Sequence, residues 1–216
     1  MKRTVGQFLL VSLLGAIAAV PALADTVLYN NGTASSYTAK SYEVSGGIFT
    51  VTDSFTLAQA SVVDGANFGI WVITGSTVTA IDWQIIDSGN TVLASGAATD
   101  LAGPLVGTAT IAGVVHYSIY QDSTSIADLS LGAGTYFLSL DNAAATSPTP
   151  PFEQEVLWDI SNGPSTAEQN VLGSIPSETF EILGRSAATP EPSSILLLGT
   201  GLAGLGGFLR RRLMIG

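Results

Sequence analysis

Few side chains in this chain are able to do chemistry, and their types decide which reactions are open to it. His116 is the single histidine, so a serine-type hydrolase would need it as general base. It stands between Val115 and Tyr117 inside a predicted strand, with no Gly-x-Ser-x-Gly elbow elsewhere, and is read as a surface or half-buried strand histidine. Glu153 and Glu155 are two apart, the spacing that puts both carboxylates on one face of a strand, and paired carboxylates are what glycoside hydrolysis requires. Such pairs arise freely in so acidic a chain, and these are read as solvated charge. Asp141, Asn142, Asp159 and Asn162 offer hard oxygen ligands at predicted strand ends. They make a structural Ca²⁺ the candidate ion, though without the Asp-x-Asp-x-Asp-Gly spacing of a dedicated loop. Trp71, Trp83 and Trp158 supply flat apolar faces of the kind that stack on sugars. Trp83 shares a face with Ile81 and Ile85, and Trp71 sits between Ile70 and Val72, so both are read as core. Trp158, beside Asp159, is the candidate glycan contact. Cysteine is absent, which excludes disulfides, thiolate zinc, iron–sulfur clusters and a Cys nucleophile. No residue is assigned a catalytic, cofactor-binding or metal role, and the chain is expected not to be an enzyme.

The element pattern that must position these residues is β throughout. Ile81, Trp83 and Ile85 alternate with polar neighbours, and the same period recurs in Tyr136–Leu140 and Thr179–Leu183. Further strands are predicted near Val27–Tyr29, Ile48–Leu57, Ala60–Val63, Phe68–Ile73, Thr91–Ala94, Val114–Tyr120 and Val156–Ile160. Turn signals separate them at Asn31-Gly32, Gly46-Gly47, Asp64-Gly65, Ser88-Gly89-Asn90, Gly132-Ala133-Gly134 and Asn162-Gly163. Ala97–Thr110 and Ala143–Phe152 read as loops, the second stiffened by Pro148, Pro150 and Pro151. Short strands rich in Thr, Val, Ile and aromatics, spaced by Gly-rich turns, predict an all-β fold, an antiparallel β-sandwich or jelly roll over residues 25–188.

That body carries sixteen acids against Lys40 and Arg185, a net charge of −14 with His116 neutral, more negative than the −10 of the whole chain. Such a surface repels nucleic acid and anionic lipid, and nucleic-acid binding is excluded.

Both ends read as addresses. Lys2 and Arg3 precede an apolar stretch from Phe8 to Val20, and Ala22-Leu23-Ala24 supplies the small residues of a signal-peptidase site. Residues 1–24 are therefore expected to be a signal peptide, cleaved after Ala24 so that Asp25 leads the mature chain. The stretch is shorter than the ~20 residues a spanning helix needs. At the other end Pro190, Glu191 and Pro192 precede an uncharged run, residues 193–209, closed by Arg210, Arg211 and Arg212. A helix of that run reaches roughly 25 Å at ~1.5 Å per residue, at the short end for a ~30 Å hydrocarbon core. Its glycines weaken it further. The arginines anchor its end on the cytoplasmic side and so place residues 25–188 across the inner membrane.

The order of Thr189-Pro190-Glu191-Pro192, the Gly-Leu-Ala-Gly-Leu-Gly-Gly run and the triple arginine resembles the PEP-CTERM sorting signal of Gram-negative bacteria, whose members are processed by a membrane protease called exosortase. Thr189 stands where the family commonly has Val. The resemblance covers residues 189–216 and implies export, recognition at Pro190-Glu191-Pro192, and release or transfer to the cell surface or exopolysaccharide matrix. More loosely, Asp53–Leu57, Gly134–Leu138 and Ile175–Phe180 are similar to strands of the β-sandwich domains common in exported PEP-CTERM proteins, a likeness of fold that fixes no function. The expected partners are signal peptidase, an exosortase-type protease and the membrane. The expected function is that of a non-enzymatic surface or matrix protein, with a carbohydrate-binding module for extracellular polysaccharide as the alternative.

Overall fold

The computed structural model of the chain describes residues 26–34, 41–99, 101–146 and 155–187, with Gly199 alone in helical conformation near the C-terminus. The expected signal peptide with Ala22, Ala24 and Asp25, the sorting residues Pro190, Glu191, Pro192, Arg210, Arg211 and Arg212, and Glu153 lie outside the described residues. So does the 193–209 run apart from Gly199. Among the described residues no helix is long and apolar enough to cross a membrane.

Thirteen strands form in the described residues: β1 (Thr26–Asn30), β2 (Ser41–Glu43), β3 (Val51–Leu57), β4 (Ser61–Ile73), β5 (Val78–Asp87), β6 (Val92–Ala98), β7 (Leu105–Ile111), β8 (Val115–Leu131), β9 (Gly134–Ala145), β10 (Val156–Asp159), β11 (Ala167–Gln169), β12 (Gly173–Ile175) and β13 (Phe180–Ser186). One sheet is organised around β4. Along one edge β4 pairs with β8 from Ser61 to Ile73, and β7 lies outside β8. Along its other edge β4 pairs first with β13, at residues 61–68, and then with β10, at residues 70–72. β1 lies outside β13 and β2 outside β10. The second sheet has the order β12-β11-β3-β9-β5-β6, and all the ladders are antiparallel.

The two sheets share one apolar core. Period-2 strands of the second sheet send Phe55, Ile81, Ile85 and Leu138 inward, where they meet Phe68, Ile70, Phe180 and Ile182 of the first. At its centre Phe180 stacks on Tyr29 (ring centroids 5.6 Å) and meets Trp158 edge-on at 5.9 Å. Each such pair adds about 0.5–1.5 kcal/mol beyond the area it buries. Trp83 lies in this core with Ile81 and Ile85, as the alternation predicts. Trp71 is also buried, but in a smaller cluster with Tyr117, Ile119 and Leu157 on the opposite face of β4. Gly69–Val72 is therefore buried on both faces, which is why this stretch reads as a continuous apolar run.

Several predicted boundaries move. Asp64-Gly65 is not a turn but a bulge inside β4, where the register to β8 slips between Val63 and Gly65. The predicted strands on either side are thus one strand. The loop expected over Ala97–Thr110 is mostly strand, because β6 ends at Ala98 and β7 begins at Leu105. β6 is exposed over most of its length, so burial imposes no alternation on it, and β7 half-buries only the small side formed by Gly107, Ala109 and Ile111. β8 continues past Tyr120 to Leu131, its inward side marked by Asp122, Ile126 and Leu131. β9 likewise runs to Ala145, into the segment read as a loop.

Candidate functional site

Two distinct polar regions lie at the two ends of strand β10, one at Glu155 before it and one at Asp159, its last residue. The first is open to solvent. Two adjoining hollows of about 470 and 490 Å³ share Glu43, Phe49 and Glu155. Glu43 ends β2 and Glu155 immediately precedes β10, so the antiparallel pairing of those strands sets the two carboxylates beside one another on the cleft wall. Tyr117 of β8 donates its phenol proton to Glu155 Oε2 at 2.5 Å, and Ser45 Oγ donates to Glu43 Oε1 at 2.5 Å. Gln169 Nε2 donates to the Glu43 carbonyl at 2.9 Å, tying β11 of the other sheet to the same wall. Burial, the bond to Glu155 and the nearby charge of Glu43 hold the Tyr117 phenol far above its ordinary pKa. It is a fixed hydrogen-bond donor, not a proton shuttle. Tyr42 and Phe49 contribute half-buried rings, and Ile48, Val171 and Leu172 form an exposed apolar rim. The arrangement can accept hydrogen bonds or a positive charge beside a flat apolar surface.

The second region is closed. Asp53 points inward from β3 and carries its charge on donors. Glu178 N donates to Oδ2 at 2.6 Å, Asn31 Nδ2 to the same oxygen at 3.2 Å, and Ser54 N to Oδ1 at 2.7 Å. Burial nonetheless pushes the Asp53 pKa up. Asn31 also bonds Ser177 and the Glu178 carbonyl, so this network joins the end of β1 to β3 and to the chain entering β13. The Glu178 side chain is wholly buried, and neither carboxyl oxygen has a hydrogen-bond partner. Burial first, then the charges of Asp53 and Asp159, raise its pKa well above the ordinary carboxyl value.

Of the residues singled out in the sequence, Glu155 lines both hollows and Asn142 the second of them. The expected partner of Glu155, Glu153, lies outside the described residues, and the neighbouring carboxylate is instead Glu43, more than a hundred positions away in the chain. His116 is an exposed strand residue paired across β7–β8 with Thr110, whose Oγ1 lies 3.0 Å from Nδ1. The glycan contact expected at Trp158 is overturned. The indole is fully buried, packs on Phe180 and donates Nε1–H to the Thr179 carbonyl at 2.8 Å, so it has no face left for a sugar. The calcium ligands do not converge either. Asn142 bonds Asp82 on β5 at 2.8 Å, whereas Asp159 is buried near Glu178. Among the described residues no group of three acidic or imidazole ligands is placed to hold a metal ion. Glu43, Tyr117 and Gln169 carry no local sequence signal. Only strand pairing brings them to Glu155.

No curated protein matches the chain. The family model described as the PEP-CTERM protein-sorting motif matches residues 188–212, the segment that follows directly on the last described strand. The chain therefore carries a PEP-CTERM protein-sorting motif at residues 188–212, behind a two-sheet antiparallel β body.

Proposed function

We propose that this chain is a non-enzymatic exported protein, held at the inner membrane by its C-terminal segment, cut near Pro190-Glu191-Pro192 by an exosortase-type protease, and delivered to the cell surface or exopolysaccharide matrix. The motif at residues 188–212 carries this reading, since its apolar run and arginines suit brief membrane retention better than a permanent anchor. The acidic body supports it as well, because a net −14 domain keeps off anionic lipid once released. Replacing Pro190, Glu191 and Pro192 together with alanine is expected to move the protein from the surface and matrix fractions into the membrane fraction on immunoblots. An unchanged distribution would refute the sorting role.

A second reading rests on the cleft. Two ring side chains, two carboxylates and an amide are the parts of a polysaccharide contact, and the negative field limits the ligand to neutral or amino sugars. Retention on a neutral or amino-sugar polysaccharide should fall at least tenfold with Tyr42→Ala or Glu43→Gln, about 1.4 kcal/mol. Equal retention of wild type and both variants excludes this cleft.

A further inference from the structure

The side of the body formed by β6 and β7 differs from the rest of the surface. Both are seven-residue edge strands. Among the described residues β6 pairs only with β5, and β7 only with β8. Each therefore turns one row of backbone N–H and C=O groups outward, the template that edge pairing uses. The chain crosses from one sheet to the other between Ala98 and Leu105, and β6 packs against β8, so the two open edges lie on the same side of the body. Their sequences, Val-Leu-Ala-Ser-Gly-Ala-Ala and Leu-Val-Gly-Thr-Ala-Thr-Ile, contain no charge and no proline. Val92, Leu93, Leu105 and Val106 are exposed there.

The other edges are guarded. β1 is only five residues long, and its Asn30 side chain is bonded to Glu181. β2 is three residues long and ends in Glu43, and β12 is also three residues long. Natural sheets protect long edges with charges, prolines or bulges; β6 and β7 each carry one bulge, at Leu93 and at Val106, but neither a charge nor a proline, a local exception in a body with sixteen acids.

We propose that β6 and β7 are assembly edges, each pairing antiparallel with an edge of a second copy of this chain and so linking bodies through continuous sheets. Charge selects the occupant. Two net −14 bodies repel each other over most of their surfaces, and these uncharged strips are where identical chains approach with least repulsion. A basic partner would instead settle on the acidic faces. Two open edges per chain let the association propagate, so the product is a chain of bodies rather than a closed pair. Because repulsion between the bodies opposes it, assembly strengthens as salt screens their charge.

The test is sedimentation velocity of the full chain in detergent, at low and at high salt. Wild type is expected to form species larger than the monomer, shifting to higher mass with salt. Val106→Lys leaves one open edge and should stop growth at the dimer, whereas Leu93→Lys with Val106→Lys should give monomer at both salts. Val106→Thr, uncharged and of similar size, should assemble as wild type does. Circular dichroism melts of every variant should match wild type, because both positions are exposed, and this separates blocked edges from failed folding. Monomeric wild type at high salt overturns the proposal, and so do oligomers that persist in the double lysine variant.

Discussion

Trp158→Ala is expected to lower the unfolding free energy of the body by about 3–5 kcal/mol, the usual cost of truncating a buried tryptophan. The indole is among the largest fully buried side chains, sits edge-on to Phe180 at 5.9 Å, and closes the core where β10 and β13 flank successive parts of β4. Truncation also leaves the Thr179 carbonyl without its indole donor, which adds about 1 kcal/mol. Against a total of about 5–15 kcal/mol for a domain, that is a large fraction. Urea unfolding followed by far-UV circular dichroism measures it, with Trp158→Phe expected to recover more than half of the loss. A cost below about 1 kcal/mol would be that of an ordinary surface substitution and would contradict the burial. The consequence for function is practical. Loss of polysaccharide binding in Trp158→Ala would report a damaged fold, so only the cleft residues test the glycan reading.

The second large effect is an inverted dependence of stability on pH. Glu178 is raised well above its ordinary value of 4.5, mainly by burial and then by the charges of Asp53 and Asp159. A carboxyl raised in the folded state binds its proton more tightly there than in the unfolded chain. Stability therefore falls as pH rises from the unfolded pKa towards the folded one, by about 1.4 kcal/mol per pH unit for one such group. Asp53, Asp122 and Asp141 are raised too, each chiefly by burial, and act in the same direction. Asp128 is the exception, held low by Arg185, but the stability it confers is lost only below its ordinary value of 3.8. Between pH 8 and about pH 5 the melting temperature should climb as acid is added, where a protein of paired carboxylates would stay level or decline. Glu178→Gln removes the titration and should visibly flatten the climb, whereas relief of general charge repulsion would survive that substitution. A melting temperature that drops on acidification from pH 8 to 5.5 contradicts this account of the buried cluster.

Legibility followed burial. Ile81, Trp83 and Ile85 announced a core strand because one face of β5 packs on the other sheet, and the two-sheet antiparallel architecture followed from repeats of that pattern. Where burial was absent or two-sided, the pattern failed. The edge strand β7 and the end of β6 fall in the stretch read as a loop, while Gly69–Val72 is buried on both faces and shows no period. Asp64-Gly65 has turn composition, yet its glycine serves a bulge that re-registers β4 against β8. Composition misled most at the acids. Asp159 read as an oxygen ligand at a strand end, and Asp53 and Glu178 carried no signal of burial among sixteen acids, but long-range pairing of β10, β11 and β13 folds all three inside. The cleft was invisible for the same reason, since Glu43, Tyr117 and Glu155 meet only through tertiary structure. The sorting motif was legible because it is contiguous and is read by its order of parts, with no fold needed to assemble it.

The central claim is that the β body is exported and then separated from its C-terminal segment. Intact-mass spectrometry of the protein recovered from membrane, medium and matrix fractions tests it most directly. The account predicts a mature species beginning at Asp25 and ending near Pro192 in the medium or matrix fraction. A single membrane-bound species that still carries Arg210, Arg211 and Arg212 would contradict it and leave the tail as a simple permanent anchor.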